Sequence, residues 1–264
     1  MNPEIPIFVI SLEDAASRRD PLLAQLAEFR LQYRVFRAID GRNGLSSEFE
    51  GSIDRDGALI NLGRPLADVE YACALSHVGV YRLILSLGLK GAIVLEDDAS
   101  LEPGFATLLG RMDLKRLDML FFNYGHARVW RFGGEPVEGT GYSLLRLVHN
   151  TGLASGYYIS ARGAEFVLDN GLPVSLPADW LCDLRALKPR VVYPRVVSDG
   201  WRGSYLEEAR ANAKKMRANG NAFRGIKSNG WFRGRKRNPV PWHFRWLSRI
   251  FVSNIRRRSG APWS

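Results

Sequence analysis

Residues 91–100 read GAIVLEDDAS: an unbroken apolar run, Ala92 to Leu95, and then Glu96, Asp97 and Asp98 with no spacer. A short continuous apolar run after a glycine is the pattern of a strand buried on both faces. In open α/β sheets, ligands bind beyond the carboxyl ends of such strands, where these acids fall. If the chain stays extended, Glu96 and Asp98 point one way and Asp97 the other. Two carboxylates on one side make a hard, all-oxygen site, suited to Mg²⁺ or Mn²⁺ shared with substrate phosphates. Without a cation they repel and raise one another's pKa. The same triplet also reads as loop charges that cap the next helix or pair with arginines.

Working outward from this strand, IPIFVI (5–10) is a further, nearly continuous apolar run, and RVFRAI (34–39) reads as another strand, ending in Asp40-Gly41. Between them Asp20-Pro21 predicts the start of a helix carrying Leu22, Leu23, Leu26 and Phe29 on one stripe. Residues 41–66 are rich in Gly, Ser and Asn without a clear period, and the expectation is a long loop. Residues 68–87 space Val69, Ala72, Cys73, Ser76, Val80, Leu83, Ile84 and Leu87 as a long amphipathic helix, with Asp68 as its cap and Gly88 as its stop. Helices are also expected near 103–112 and 161–169, and extended segments at 118–123, 143–148, 153–160 and 191–197. Strands alternating with helices predict an α/β domain with a largely parallel sheet.

Candidate ligand groups gather around these elements. Arg18 and Arg19 follow the first strand near a helix N-terminus, a setting that favours phosphate, although two solvated arginines would look the same. Glu70, Cys73, Ser76 and His77 lie on the long helix, with Glu70 and His77 on one face. His77 is a candidate for acid/base work or anion contact, against a purely structural role; Cys73 reads as a small buried hydrophobe. No GxGxxG follows the first strand, and GxxxxGK[ST], HExxH and GxSxG are absent. That argues against dinucleotide oxidoreductases, P-loop ATPases, zinc proteases and serine hydrolases.

Length and charge divide the chain. At 264 residues it is long enough for one domain with an appendage. Two cysteines form no disulfide framework, which suits a reducing compartment. The first residues lack a basic leader, no run approaches the roughly 20 apolar residues that span a bilayer, and the expectation is a cytoplasmic protein. Residues 201–264 hold 16 of the 37 Lys/Arg and only two of the 27 acids, so the net charge of +10 resides there. Residues 1–200 are therefore read as the folded domain and 201–264 as a basic tail. Within it Trp242, Trp246, Leu247, Ile250, Phe251 and Ile255 fall at helical spacing among arginines. A basic amphipathic helix of this kind suits an anionic membrane surface. Docking on the body and nucleic-acid binding are the alternatives, the last disfavoured because no nucleic-acid-binding motif is present.

Several pieces together resemble glycosyltransferase family 25, the lipooligosaccharide glycosyltransferases and their collagen galactosyltransferase relatives. They are IFVISL with Ser17-Arg18-Arg19, AIDG (38–41), ExxCALSH (Glu70 to His77), VLEDD (94–98), GYYISARGA (156–164) and PADW (177–180). The resemblance covers roughly the first 180 to 200 residues, and ALSH followed about twenty residues later by LEDD is its specific part. It implies a Rossmann-like, GT-A-type nucleotide-sugar-binding domain that moves a hexose, galactose first, from a UDP-sugar to a hydroxyl of a glycolipid or other glycan. It further implies Asp98 as ligand of Mn²⁺ or Mg²⁺, with Glu96 as a second ligand or ribose contact. Donor contacts would come from Ser11, Arg18, Arg19, Asp40, Glu70, Ser76 and Asp97. Asp179 would be the general base, with His77 second; Asp179 reads equally as the N-cap of a helix starting at Trp180. Tyr71-Ala72 stands where the family has Ile-Gly.

Overall fold

The chain alternates strands and helices because its apolar residues alternate between period 2 and period 3.6. A computed structural model describes residues 5–199 and 252–256. The elements are β1 (Ile7–Ser11), α1 (Ala16–Glu28), β2 (Tyr33–Arg37), α2 (Arg55–Leu62), α3 (Asp68–Ser86), β3 (Gly91–Glu96), β4 (Ala99–Leu101) and α4 (Phe105–Arg111). After them come β5 (Met119–Phe121), β6 (His126–Trp130), β7 (Glu135–Val137), β8 (Tyr142–Arg146), β9 (Gly156–Ser160), α5 (Ala161–Gly171), β10 (Arg190–Tyr193), β11 (Val197–Asp199) and β12 (Val252–Arg256).

Eight strands form one sheet in the order β2-β1-β3-β9-β5-β10-β8-β7. The expectation of a largely parallel sheet needs correction, because the sheet is mixed. β1 runs parallel to both β2 and β3, and β5 to β10. β9 lies antiparallel between β3 and β5, and β8 is antiparallel to β7 and β10. A buried strand has the same apolar run in either direction, so the sequence carries direction only through its connections. Alternate side chains of the central strands feed two cores. Phe8 and Ile10, Ala92 and Val94, Tyr157 and Ile159 join one cluster with α3 and α5. Ile7 and Val9, Ile93 and Leu95, and Tyr158 join the other with α1 and α4. The result is a three-layer α/β arrangement of Rossmann-like type.

Three further expectations are corrected. α1 begins at Ala16, so Pro21 lies inside it and Asp20 is no cap. The first turn is drawn in by tertiary contacts: the Arg18 side chain reaches Asp97, and that of Arg19 reaches Ser11. Residues 41–66 are not a loop throughout. They contain a 3-10 helix (Ser47–Ser52) and α2, which Asp54 caps by accepting from the Gly57 N–H (2.7 Å) and Gly63 closes with φ +67°. Residues 252–256, read as part of an amphipathic helix, instead form a strand antiparallel to β6, with Ile255 buried in the α3–α5 core. The rest of the expected tail helix lies outside the described residues.

Candidate functional site

The parallel register aligns the carboxyl ends of β1, β2 and β3: Ser11 stands opposite Arg37, and Ile10 opposite Glu96. These ends and the neighbouring face of α3 enclose a cavity. Ser11, Arg18, Asp40, Ser76, His77, Glu96 and Asp97 line it, with Cys73 beside them. Seven of the expected site residues therefore meet at one place.

The acids divide differently from the alternation expected of an extended chain. β3 stops at Glu96 and the backbone turns at Asp97-Asp98. Arg18 then bridges the two aspartates, its guanidinium lying 2.9 Å from Asp97 and 3.0 Å from Asp98. Ser11 donates its hydroxyl proton to Asp97 (2.9 Å), and Arg19 donates to the Ser11 hydroxyl (3.2 Å) and the Leu12 carbonyl (3.1 Å). The pair of arginines thus organises carboxylates. Burial holds Asp97 above the usual carboxylate range, against the pull of Arg18 and Ser11. Burial and the neighbouring Glu96 push Asp98 up to about 7.

Glu96 faces α3. Its Oε1 lies 3.1 Å from Nε2 of the buried His77, and His77 Nδ1 lies 2.7 Å from the Tyr157 hydroxyl. Tyr157 in turn meets the Tyr81 hydroxyl at 2.8 Å. A carboxylate only accepts, so Nε2 donates to Glu96, and in the neutral imidazole Tyr157 donates to Nδ1. Trp180 packs edge-on against Tyr157 and donates its indole N–H to the Thr151 carbonyl (2.6 Å).

Other expected residues have different duties. Ser76 accepts from the Ile39 N–H (2.8 Å) and donates to the Ala72 carbonyl (2.7 Å), fixing the exit of β2 against α3. Asp40 is held by Arg42, whose hydrogen bonds keep it below the usual carboxylate range. Glu70 is buried beneath the start of α3. It takes a two-pronged contact from Arg64 (2.6 and 2.8 Å), accepts from the Ala67 N–H (3.1 Å), and does not line the cavity. Asp179 sits in a turn and is also not among the lining residues. No helix starts at Trp180; the next one, Leu184–Leu187, is capped by Asp183.

One group of residues escaped the sequence reading. Asn123 donates to the Ser155 hydroxyl and to Asp199, each at 2.7 Å, and Ser155 donates to the same Asp199 oxygen at 2.8 Å. β11 pairs Asp199 with Ala99, which places this acid beside Asp98 and adds to the upward shift there. Asn123 ends an apolar run as the acids end β3, a usable signal; nothing local marks Asp199.

A divalent cation fits this corner. Among the described residues, Asp98 Oδ1 is buried without a hydrogen-bond partner, and the acids around it exceed what Arg18 neutralises. An orphaned carboxylate oxygen in an all-oxygen setting suits Mn²⁺ or Mg²⁺.

Residues 4–182 match glycosyltransferase family 25 (LPS biosynthesis protein). Similar chains include a glycosyltransferase 25 family member of Aedes aegypti, 29% identical over 62% of this chain and 28% of its own. Procollagen galactosyltransferase 1 of Danio rerio is 28% identical, covering 66% of this chain and 30% of its own. The inactive glycosyltransferase 25 family member 3 of Homo sapiens is 34% identical over 56% of this chain and 27% of its own. The chain thus spans under a third of the length of these relatives. The matched span carries the strand ends and the α3 face that bound the cavity, and the chain belongs to glycosyltransferase family 25.

Proposed function

We propose that this chain is a metal-dependent hexosyltransferase. It moves galactose, or a related hexose, from a UDP-sugar to a hydroxyl of a glycolipid or other surface glycan. The observation that carries the reading is the Asp97–Asp98 turn beside the cavity, with Asp98 Oδ1 buried and unsatisfied. The family relatives named as galactosyltransferases support the choice of sugar.

In this reading Asp98 holds Mn²⁺ or Mg²⁺, with Asp199 next to it. Such an ion, when bound, neutralises the diphosphate leaving group as a Lewis acid. Arg18 holds the two aspartates together, and Ser11 with Arg19 fixes the Asp97 carboxylate. Ser76 and Asp40 shape the opposite wall. His77 orients Glu96, which is proposed as a contact to the donor or, beside Asp98, to the ion. Asp179 is proposed as the base that takes the acceptor proton, next in sequence to the Trp180 that Thr151 anchors. Among the described residues no helix is long and apolar enough to cross a membrane. Residues 201–264, outside the paired strand, are proposed to hold the enzyme on the anionic cytoplasmic face of a membrane where a glycolipid acceptor would lie. Hydrolysis of a panel of UDP- and GDP-sugars, with Mn²⁺ and with EDTA, tests the reading. It fails if no donor turns over or if EDTA leaves turnover unchanged.

A further inference from the structure

Cys73 and His77 stand one helical turn apart on α3, so both side chains leave the helix on the same face. Glu96 meets them from the end of β3. The Cys73 sulfur, a His77 nitrogen and a Glu96 oxygen all lie within 4.8 Å of one another, and all three residues line the cavity. We infer that these three residues form a second cation site, distinct from the Asp97–Asp98 corner, that takes Zn²⁺ or a similar borderline ion.

The chemistry of the donors makes the distinction. One thiolate, one imidazole and one carboxylate suit zinc and cobalt, whereas an all-oxygen corner suits Mg²⁺ and Mn²⁺. Three protein ligands leave a fourth position open toward the cavity. The surroundings are those a ligating histidine needs. A metal on Nε2 requires the proton on Nδ1 and an acceptor for it. The Tyr157 hydroxyl, 2.7 Å from Nδ1, accepts in that state and donates to Tyr81. The Tyr157 hydroxyl therefore serves Nδ1 in either imidazole tautomer, as donor in one and acceptor in the other. Occupancy moves the imidazole proton from Nε2 to Nδ1 and releases the Cys73 thiol proton to solvent; no electron is transferred.

The inference concerns binding and does not depend on the transferase reading.

The test is a Co²⁺ titration of the full chain after chelator treatment, followed by absorption. The expected result is a thiolate-to-cobalt band that saturates at one ion per chain and is displaced by Zn²⁺ but not by Mg²⁺. Cys73→Ser should abolish the band, Glu96→Gln should weaken cobalt binding at least tenfold, and Cys182→Ser and Asp98→Asn should leave the band intact. Circular dichroism establishes that each variant is folded. Should Cys73→Ser fail to fold, Glu96→Gln and Cys182→Ser decide alone. Absence of the band in the unmodified chain, its survival in Cys73→Ser, or unchanged affinity in Glu96→Gln would overturn the site. Since absorption is read and not turnover, this failure is separate from failure of the transferase reading.

Discussion

His77 and Glu96 face each other at 3.1 Å across the gap between α3 and the end of β3. That contact joins the two most specific motifs of the chain, ALSH and LEDD, through residues nineteen positions apart. It also fixes what each acid of the triplet can do. Glu96 belongs to the helix side, while Asp97 and Asp98 belong to Arg18.

Asp98 should be indispensable for transfer yet not for folding. Asp98→Ala is expected to lower turnover of a UDP-sugar by at least about 100-fold, in line with losing one electrostatic contact to a leaving group. Its circular dichroism should match that of the unmodified chain. Full activity of the variant in excess EDTA would refute the metal role.

The same residue makes a pH prediction. Its folded-state pKa, about 7, lies above its ordinary value of 3.8, so between these the folded chain holds a proton that the unfolded chain has lost. Stability from this group is present below about pH 4 and is lost as pH rises through about 7. In chelator, the difference in unfolding free energy between the unmodified chain and Asp98→Asn should therefore drift by about 4 kcal/mol against the unmodified chain over that window. Urea melts at successive pH values read this directly; a flat difference contradicts it. Mn²⁺ affinity should rise over the same window, because the ligand must lose its proton.

Glu70 supplies the contrast. Its side chain is fully buried against Arg64, so Glu70→Ala strands a cation and frees the Ala67 N–H. A loss of about 3 kcal/mol of stability is expected, as for breaking a buried pair. Because Glu70 does not line the cavity, the KM for donor of the folded fraction should stay unchanged. A selective rise in KM without loss of stability would return Glu70 to the donor site.

Tyr157→Phe removes the hydroxyl shared by His77 and Tyr81. Burial holds both phenols well above their ordinary pKa, so they are present as neutral hydroxyls. Two buried polar atoms lose a partner, at a cost of about 1–3 kcal/mol. Chemical denaturation should show that loss, and the His77 ring-proton resonances should shift with it.

The last strand gives a prediction for the tail. Ile255→Ala is expected to cost about 2–4 kcal/mol, the range for emptying a buried aliphatic position. A thermal melt unchanged by this substitution would mean that β12 does not dock on β6.

The elements that the sequence made legible were those with strong periods. α3 appeared within a residue of its observed ends, and β1 and β3 appeared as continuous apolar runs. β4, β6, β7 and β11 did not, being short or half exposed, with little of a hydrophobic pattern to read. α2 was hidden by Gly and Asn on either side, although Asp54 and Gly63 are ordinary start and stop signals. The Asp20-Pro21 signal misplaced α1, because side-chain contacts made by Arg18 and Arg19 outweighed a local preference.

The residue types and their order along the chain determined much by themselves: an α/β domain, a membership in family 25, and a carboxylate cluster at a strand end. Those conclusions follow from local periodicity and from the chemistry of side chains adjacent in sequence. Only the tertiary structure decided which way β9 runs, that Glu96 pairs with His77 while Arg18 takes both aspartates, that Glu70 serves the start of α3, and that Asp199 stands beside Asp98. The strand direction and the contacts of Arg18, His77 and Asp199 join residues from nineteen to about a hundred positions apart, and local spacing carries no trace of them; the Glu70 contacts are local, but only the turn before α3 brings Arg64 onto that side chain.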